Sequence, residues 1–250
     1  MRRGHRPSAA PQGRIRLWGR HAVTAALANP ERRPAKLWAT REAAHALALA
    51  PSLLPVAYAD VTDLARLVPA DAPHQGLVLD TDALPDRWLD ELFEAAEAGG
   101  ERRPIVVLDQ VTDPHNVGAI LRSAAAFDAV GLVTQDRHAP PESGALARAA
   151  SGALEAVPWV RVVNLARALE EMAAAGYWRV GLAGQAGATL GEAMVPGRLA
   201  IVLGAEGEGL RQNVAGHCDT LARLPISARV ESLNVSNAAA IALYAAATRG

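Results

Sequence analysis

The sequence predicts an α/β protein in which a small amino-terminal α/β domain precedes an open parallel sheet covered by helices on both faces. Three observations support this fold class. The chain has 250 residues, of which 50% are apolar and 20% charged, so it can bury a core and is neither disordered nor fibrous. Short apolar runs alternate with helical spacings along most of the chain. Residues 105–108 are all apolar, as expected of a strand buried on both faces of a parallel sheet.

Residues 15–82 contain short alternating elements, enough for a small α/β domain. Helical spacing extends over 17–28 with a break at Gly19, and a second helix is predicted over 42–49. Strands are predicted over 36–40 and 76–80. A linker near 81–87 leads to the second domain, 83–250, whose first helix carries Trp88 and ends at a glycine pair.

In the second domain, strands and helices alternate to the end of the chain. Strands are predicted over 105–108, 130–134, 157–162, 179–182, 199–203 and 220–224. Helices are predicted over 117–127, 143–149, 165–176, 210–215 and 236–248. Such alternation predicts a parallel sheet, and ligands of open parallel sheets bind beyond the carboxyl ends of the strands.

The net charge of −1 is an average over unlike parts of the chain. The first 20 residues contain six arginines and no acid, which leaves −7 for the rest. The segment 1–14 is therefore interpreted as a basic flexible tail or, alternatively, as an arm that contacts RNA.

The sequence favours a soluble protein of the cytoplasm. Cys218 is the single cysteine and cannot form an internal disulfide, which favours a reducing compartment. The apolar stretch 22–28 is too short and lies too deep for a signal peptide. The longest uncharged apolar run, 238–247, is shorter than the ~20 residues that span a bilayer.

The first candidate loop follows the strand 105–108 and has the sequence DQVTDPHN. Asp113 and Pro114 are typical of a turn, and Asn116 is expected to cap the next helix. Arg122 is a long cation among apolar neighbours on that helix. A lone arginine in such a place is commonly a surface residue whose stem lies along apolar atoms.

The second candidate loop, LGAEGEGL, begins near Gly204 and follows a buried strand. Its glycine spacing differs from the dinucleotide fingerprint, and Glu206 and Glu208 would repel phosphate. A cationic ligand without phosphate fits better, and S-adenosylmethionine is such a ligand. The alternative is a glycine-rich helix entry with surface glutamates.

The third candidate loop, LPISARVESLNVSN, precedes an alanine-rich helix. Ser232, Asn234, Ser236 and Asn237 could each cap that helix, but only one cap is needed, so the surplus of polar groups indicates a site. No catalytic Ser/His/Asp order or metal-ligand cluster competes with it. Four histidines lack partners with ligand-like spacing: His74, His115, His138 and His217.

Together, these three loops resemble the three motifs of the SpoU-type RNA 2′-O-ribose methyltransferases, in the same order. This family is a branch of the SPOUT superfamily, and the resemblance covers about 150 residues. Two shorter segments, 19–23 and 74–76, resemble the small RNA-binding domain of its ribosomal-RNA members, in particular the bacterial 23S rRNA guanosine 2′-O-methyltransferases.

The resemblance implies a carboxyl-terminal trefoil knot, S-adenosyl-L-methionine as cofactor, RNA as partner, no metal, and a homodimer with the site near the subunit interface. Cofactor contacts carried over residue by residue are Gly204, Leu224 and Leu233. The catalytic cluster carried over in the same way is Asn116, Arg122, Glu206, Ser232 and Asn234.

The implied reaction transfers a methyl group from a sulfonium to a ribose 2′-hydroxyl of ribosomal RNA, with a guanosine of 23S rRNA as the expected target. The family places Arg122 near that hydroxyl, but a guanidinium with a pKa above ~12 is a poor base. Arg122 could instead hold an RNA phosphate, oriented by Glu206 and Asn116, while water or the phosphate takes the proton. Methylation of a tRNA guanosine and a non-catalytic role in RNA assembly remain the alternative functions.

Overall fold

The computed structural model describes residues 13–47, 54–99 and 103–249. The predicted basic tail therefore lies outside the described residues up to residue 12, as does the end of the helix predicted over 42–49. In the described part of the chain, no helix is both long and apolar enough to span a membrane.

The first sheet has four strands in the order β1-β4-β2-β3. β4 pairs antiparallel with β1 and β2, whereas β2 and β3 are parallel. The strands are β1 (Ile15–Trp18), β2 (Pro34–Ala39), β3 (Val56–Tyr58) and β4 (Leu77–Thr81). The helices are α1 (Arg20–Ala28), α2 (Arg41–Ala46) and α3 (Val61–Ala65).

The helical spacing over 17–28 is only partly correct. Residues 15–18 form β1, because Leu17 is fully buried between β4 and the core and Gly19 adopts a φ of 88° that ends the strand. The stretch 22–28, which imitates a signal sequence, lies within α1. The sequence patterns did not predict β3 or α3, since both are very short.

The second sheet has seven strands in the order β7-β6-β5-β10-β8-β11-β9, and every neighbouring pair is parallel. This confirms the predicted parallel α/β fold; the trefoil knot stays a prediction. The strands are β5 (Ile105–Asp109), β6 (Gly131–Gln135), β7 (Trp159–Val162), β8 (Trp178–Leu182), β9 (Ala188–Thr189), β10 (Leu199–Gly204) and β11 (Thr220–Arg223). The helices are α4 (Leu89–Gly99), α5 (Pro114–Ala126), α6 (Gly144–Ala150), α7 (Leu165–Ala174), α8 (Leu190–Ala193), α9 (Gln212–Ala215) and α10 (Val235–Thr248).

Helices cover both faces of this sheet. Val106 and Leu108 of β5 belong to the apolar cluster that includes α5, α6 and α10. Ile105 and Val107 belong to the opposite cluster, with α4 and α7. Because both faces are covered, polar side chains of this sheet are brought together mainly along its edges, where the strands end.

The two sheets are joined through α6 and its neighbours. The ring of Trp18 lies so close to Gly144 that a Cβ atom there would stand 2.0 Å from it. Arg32 has no exposed side-chain surface and pairs with Glu142 and, at 2.7 Å, with Glu155. These contacts hold the small sheet against the α6 side of the large one.

Candidate active site

The first two candidate loops leave neighbouring strands at the same edge of the large sheet. β5 and β10 are adjacent and parallel, and Asp109 lies opposite Gly204 in the register. The third loop leaves β11, two strands further along the same sheet. The carboxyl ends of these strands therefore bring two of the candidate loops side by side.

Asn116 does not cap α5, contrary to the sequence prediction. Asp113 is the cap: its side chain accepts a hydrogen bond of 3.0 Å from the backbone N–H of His115. Pro114 occupies the first turn, where its missing N–H costs nothing. The side chain of Asn116 is thus free of capping and available for another contact.

That contact joins the first loop to the third. Asn234 caps α10, because its Oδ1 accepts a hydrogen bond of 2.9 Å from the backbone N–H of Ser236. Its Nδ2 donates to Oδ1 of Asn116 across 3.1 Å. Among the four polar residues that could have capped α10, Asn234 is the cap. It also makes the hydrogen bond to Asn116.

The second loop folds back tightly over Gly204. The backbone N–H of Gly209 donates to the carbonyl of Ala205 at 2.9 Å. A Cβ atom at residue 204 would lie 2.0 Å from the carbonyl carbon of Gly209. Gly207 and Gly209 adopt φ values of 83° and 69°, which only glycine adopts readily. Glycine is therefore required at residue 204 by space and at the other two positions by backbone conformation.

Three of the predicted catalytic residues are exposed: Arg122, Glu206 and Ser232. Among the described residues, neither Arg122 nor Glu206 has an ion-pair or hydrogen-bond partner. The predicted orientation of Arg122 by Glu206 and Asn116 is therefore absent from this structure, in which Asn116 binds Asn234. Leu224 and Leu233, the predicted cofactor contacts of the third loop, are half-buried.

The site also includes an ion pair that the sequence patterns did not reveal. Asp109, at the end of β5, is fully buried and accepts bonds from the backbone N–H (2.9 Å) and Nε (2.8 Å) of Arg211. Nη2 of Arg211 also donates to Oε1 of Gln135 at 2.7 Å. These bonds tie the end of the glycine loop to β5 and β6. A carboxylate directly after an all-apolar strand needs a buried partner, but nothing in the sequence identifies a partner 102 residues away.

The described residues offer little for other chemistries. No group of three or more His, Cys, Asp or Glu side chains among them is arranged to hold a metal ion. Burial raises the pKa of the Cys218 thiol to about 11. Since the thiolate is the nucleophile, a thiol that stays protonated at neutral pH is inert. The polar groups of the candidate site are thus amides, carboxylates, a serine hydroxyl, backbone groups and two arginines, Arg122 and Arg211.

Comparison with protein families gives two matches. The model of the SpoU rRNA methylase family matches residues 103–244. The model described as RNA 2′-O ribose methyltransferase substrate binding matches residues 16–87. The matched ranges contain the large and the small sheet, respectively.

Two curated proteins illustrate the similarity along the sequence. A tRNA/rRNA methyltransferase of Synechocystis is 35% identical over 234 residues, which are 91% of this chain but only 61% of that protein. The 23S rRNA (guanosine-2′-O-)-methyltransferase of Pseudomonas putida is 36% identical over 241 residues, 92% of this chain and 95% of that enzyme.

Two solved structures illustrate the similarity of the fold. The SpoU methyltransferase AviRb of Streptomyces viridochromogenes, in complex with AdoMet, aligns with a TM-score of 0.78 at 23% identity, over 94% of this chain and 89% of that one. An RNA methyltransferase of the TrmH family from Porphyromonas gingivalis aligns with a TM-score of 0.75 at 26% identity, over 93% and 88%.

Proposed function

Since the chain belongs to the SpoU rRNA methylase family, we propose that it methylates the ribose 2′-hydroxyl of a guanosine in 23S rRNA, using S-adenosyl-L-methionine. The observation that carries the choice of substrate is the similarity to the Pseudomonas putida guanosine enzyme, which extends over nearly the full length of both proteins. It includes the substrate-binding segment 16–87 as well as the catalytic domain. This extent favours ribosomal RNA over tRNA as the substrate, and for such a substrate we propose the cytoplasm as the location of the enzyme.

The residues of the second and third loops suit the cofactor. Glu206 and Glu208 are exposed carboxylates without an ion-pair partner among the described residues, as a sulfonium and an α-amino group require. The backbone fold-back over Gly204 and the half-buried Leu224 and Leu233 provide peptide groups and apolar surface for the adenosine. When bound, the cofactor supplies a methyl group on a positively charged sulfur, which keeps the bonding electron pair as the methyl group leaves.

The protein's own task is to position the ribose hydroxyl and to assist the loss of its proton. Arg122 is exposed and unpaired, so it can bind an RNA phosphate and stabilise negative charge near the reacting oxygen. Asn116, on the same helix as Arg122, forms one hydrogen-bonded unit with Asn234. Glu206 and Ser232 complete the proposed cluster, and water or an RNA phosphate accepts the proton.

RNA contact is proposed for two surfaces. Three exposed arginines without ion-pair partners lie on the segments that follow β5, β6 and β11: Arg122, Arg137 and Arg229. On the small domain, the guanidinium of Arg41 lies 5.2 Å from the ring centre of Tyr58, which is 60% exposed. Exposed aromatic rings flanked by arginine stack with unpaired bases. Both surfaces suit a looped or single-stranded region of RNA.

A homodimer is proposed through the outer face of α10 and the loop before it. Four large apolar side chains are exposed there: Ile226, Val230, Ile241 and Tyr244. Ile241 and Tyr244 are three positions apart and so share one face of α10, and exposed apolar surface of this kind commonly marks a protein interface. Light scattering should show a dimer for the wild-type chain and a monomer for Tyr244→Lys combined with Ile241→Glu; a wild-type monomer would contradict the proposal.

The substrate is tested by mapping ribose methylation in cells. In a strain lacking this gene, one 2′-O-methylguanosine of 23S rRNA should disappear, and it should return when the wild-type gene is restored. A restored gene carrying Arg122→Ala should leave it absent. An unchanged 23S profile together with a lost 2′-O-methyl group in tRNA would overturn the proposed substrate in favour of tRNA.

A further inference from the structure

Three polar side chains at the junction of α5 and α10 form a directed chain of hydrogen bonds. The backbone N–H of Ser236 donates to Oδ1 of Asn234 at 2.9 Å, and the Oγ of the same serine donates to the same oxygen at 2.6 Å. Nδ2 of Asn234 donates to Oδ1 of Asn116 at 3.1 Å.

The donor and acceptor roles in these hydrogen bonds are fixed by the backbone N–H of Ser236. A backbone N–H only donates, so the atom of Asn234 that meets it must be the oxygen. The nitrogen of Asn234 then faces Asn116, and an amide nitrogen also only donates. The atom of Asn116 that meets it must therefore be Oδ1, and the two amides cannot flip independently.

The series of hydrogen bonds ends at Asn116, whose amide nitrogen is not used in it. Because Asp113 caps α5, the side chain of Asn116 is not needed for a capping hydrogen bond at that helix end. Its Nδ2 has no hydrogen-bond partner among the described residues, and the side chain is only half-buried, so both N–H groups can meet a bound molecule. The junction thus presents a donor whose orientation is set in advance.

We propose that Asn116 donates a hydrogen bond to the 2′-oxygen of the target ribose, and that Asn234, held by Ser236, is a positioning residue that fixes this polarity. The inference rests on the proposed function. As the O–H bond breaks and the proton passes to water or an RNA phosphate, negative charge develops on the 2′-oxygen while its bond to the methyl carbon forms. A pre-oriented donor stabilises that charge. Asn116 itself does not accept the proton.

Substituting each asparagine by aspartate tests the polarity, because aspartate is similar in size and keeps every acceptor. Asn116→Asp still accepts from Asn234 but cannot donate to the ribose. Asn234→Asp still caps α10, since Asp and Asn are comparable caps, but cannot donate to Asn116. Removing one donor aimed at developing charge lowers kcat by roughly 10²–10³. We expect a loss on this order for Asn116→Asp and at least about tenfold for Asn234→Asp, in single-turnover methylation of 23S rRNA.

Asn237→Asp is the matched control, because it places the same charge in the first turn of α10 on an exposed residue. It should keep the wild-type rate. Cofactor affinity by calorimetry and the unfolding midpoint should stay close to wild type in all three variants. A wild-type rate in Asn116→Asp would overturn the inference, because this variant keeps the bond from Asn234 that a purely structural role needs. A wild-type rate in Asn234→Asp would overturn it as well, because this variant loses the bond that fixes the polarity. If instead the wild-type chain methylates no 23S rRNA, the proposed function itself fails.

Discussion

The amide of Asn234 donates to the amide of Asn116 across 3.1 Å, although the two residues lie 118 positions apart in the sequence. One residue caps the last helix, and the other lies in the first turn of the helix that carries Arg122. This bond is the direct structural link between the first and third motifs of the family. It shows that the two segments, which lie far apart in the sequence, belong to one polar junction.

Arg122→Ala should abolish methyl transfer while leaving the fold and cofactor affinity intact. The side chain is exposed and has no partner among the described residues, so its removal costs little stability. If it binds a phosphate and stabilises charge beside the reacting oxygen, the single-turnover rate should fall by roughly 10² or more. Arg167→Ala, an exposed arginine on α7, is the control and should not change the rate. Full activity in Arg122→Ala would contradict its assignment.

Gly204→Ala should weaken cofactor binding. A methyl group at this residue would lie 2.0 Å from a backbone carbon of Gly209, so the loop cannot keep its fold-back over β10. Calorimetry should show at least a tenfold increase in the Kd for S-adenosylmethionine. Gly191→Ala in α8 meets nothing within 4 Å and is the matched control. Equal cofactor affinity in the two variants would mean that residue 204 does not shape the cofactor site.

Arg211→Ala should destabilise the protein by about 2–3 kcal/mol, because it removes most of the partners of a fully buried carboxylate. The measurement is urea unfolding at pH 7. The glycine loop would keep its backbone bond to Asp109 but lose the side-chain bonds to Asp109 and Gln135, so cofactor affinity should fall as well. Arg211→Lys should recover only part of the stability, since lysine lacks the planar fork that reaches Asp109 and Gln135 together. A stability equal to wild type in Arg211→Ala would contradict the anchoring role.

Arg32→Ala should destabilise the contact between the domains by about 3–5 kcal/mol. Burial lowers the pKa of Arg32, but Glu155 and Glu142 outweigh that effect and the pKa lies above its ordinary value. Removing the cation leaves both carboxylates buried without it. Arg33→Ala, the exposed neighbour, should change stability by less than about 0.5 kcal/mol. Equal unfolding midpoints for the two variants would show that the buried cluster does not hold the domains together.

The bond between Arg179 and Asp219 should make part of the stability depend on pH. The side-chain hydrogen bond from Arg179 lowers the pKa of Asp219, and the backbone N–H of Arg179 adds to it. A carboxyl whose folded pKa is depressed stabilises the protein above its unfolded pKa, near 3.9, and loses that contribution as the pH falls through the folded pKa. Asp219→Asn should therefore cost about 0.5–1 kcal/mol at pH 7 in urea unfolding.

The same comparison at acid pH tests the direction of the pKa shift of Asp219. Wild type and Asp219→Asn should converge in stability as the pH falls through the depressed pKa of the folded Asp219, because the wild-type carboxyl then becomes neutral too. A difference that grows on acidification would contradict the depressed pKa.

The large domain was predictable because its elements repeat a strong pattern. Strand β10 is wholly apolar and β5 is apolar up to its last residue, Asp109, and each is followed by a polar loop and a helix. In the small domain, β1 was missed because Leu17 and Trp18 fit a helical spacing that continues into α1. Short elements such as β3, α3 and β9 contain too few residues to show a period.

At the site, the sequence identified the three loops but not the contacts between them. Asn116 is placed like a cap, yet Asp113 is nearer the helix end and takes that role. The pairing of Asp109 with Arg211 depends on the strand order, in which β5 and β10 are neighbours. Local patterns carry no information about that adjacency, so contacts over more than 100 residues required the folded chain.

The most direct test of the central claim is methyl transfer by the purified chain to defined RNA. The chain is incubated with S-adenosylmethionine labelled in the methyl group and with 23S rRNA or total tRNA, each prepared without 2′-O-methylation at the target. Label should enter 23S rRNA at a single guanosine. The phosphodiester bond on its 3′ side should then resist alkaline hydrolysis, because that cleavage needs a free 2′-hydroxyl, and this resistance identifies the 2′-oxygen as the methylated atom. The Arg122→Ala chain should transfer none under the same conditions. Label confined to tRNA, or to a base rather than a ribose, would contradict the account.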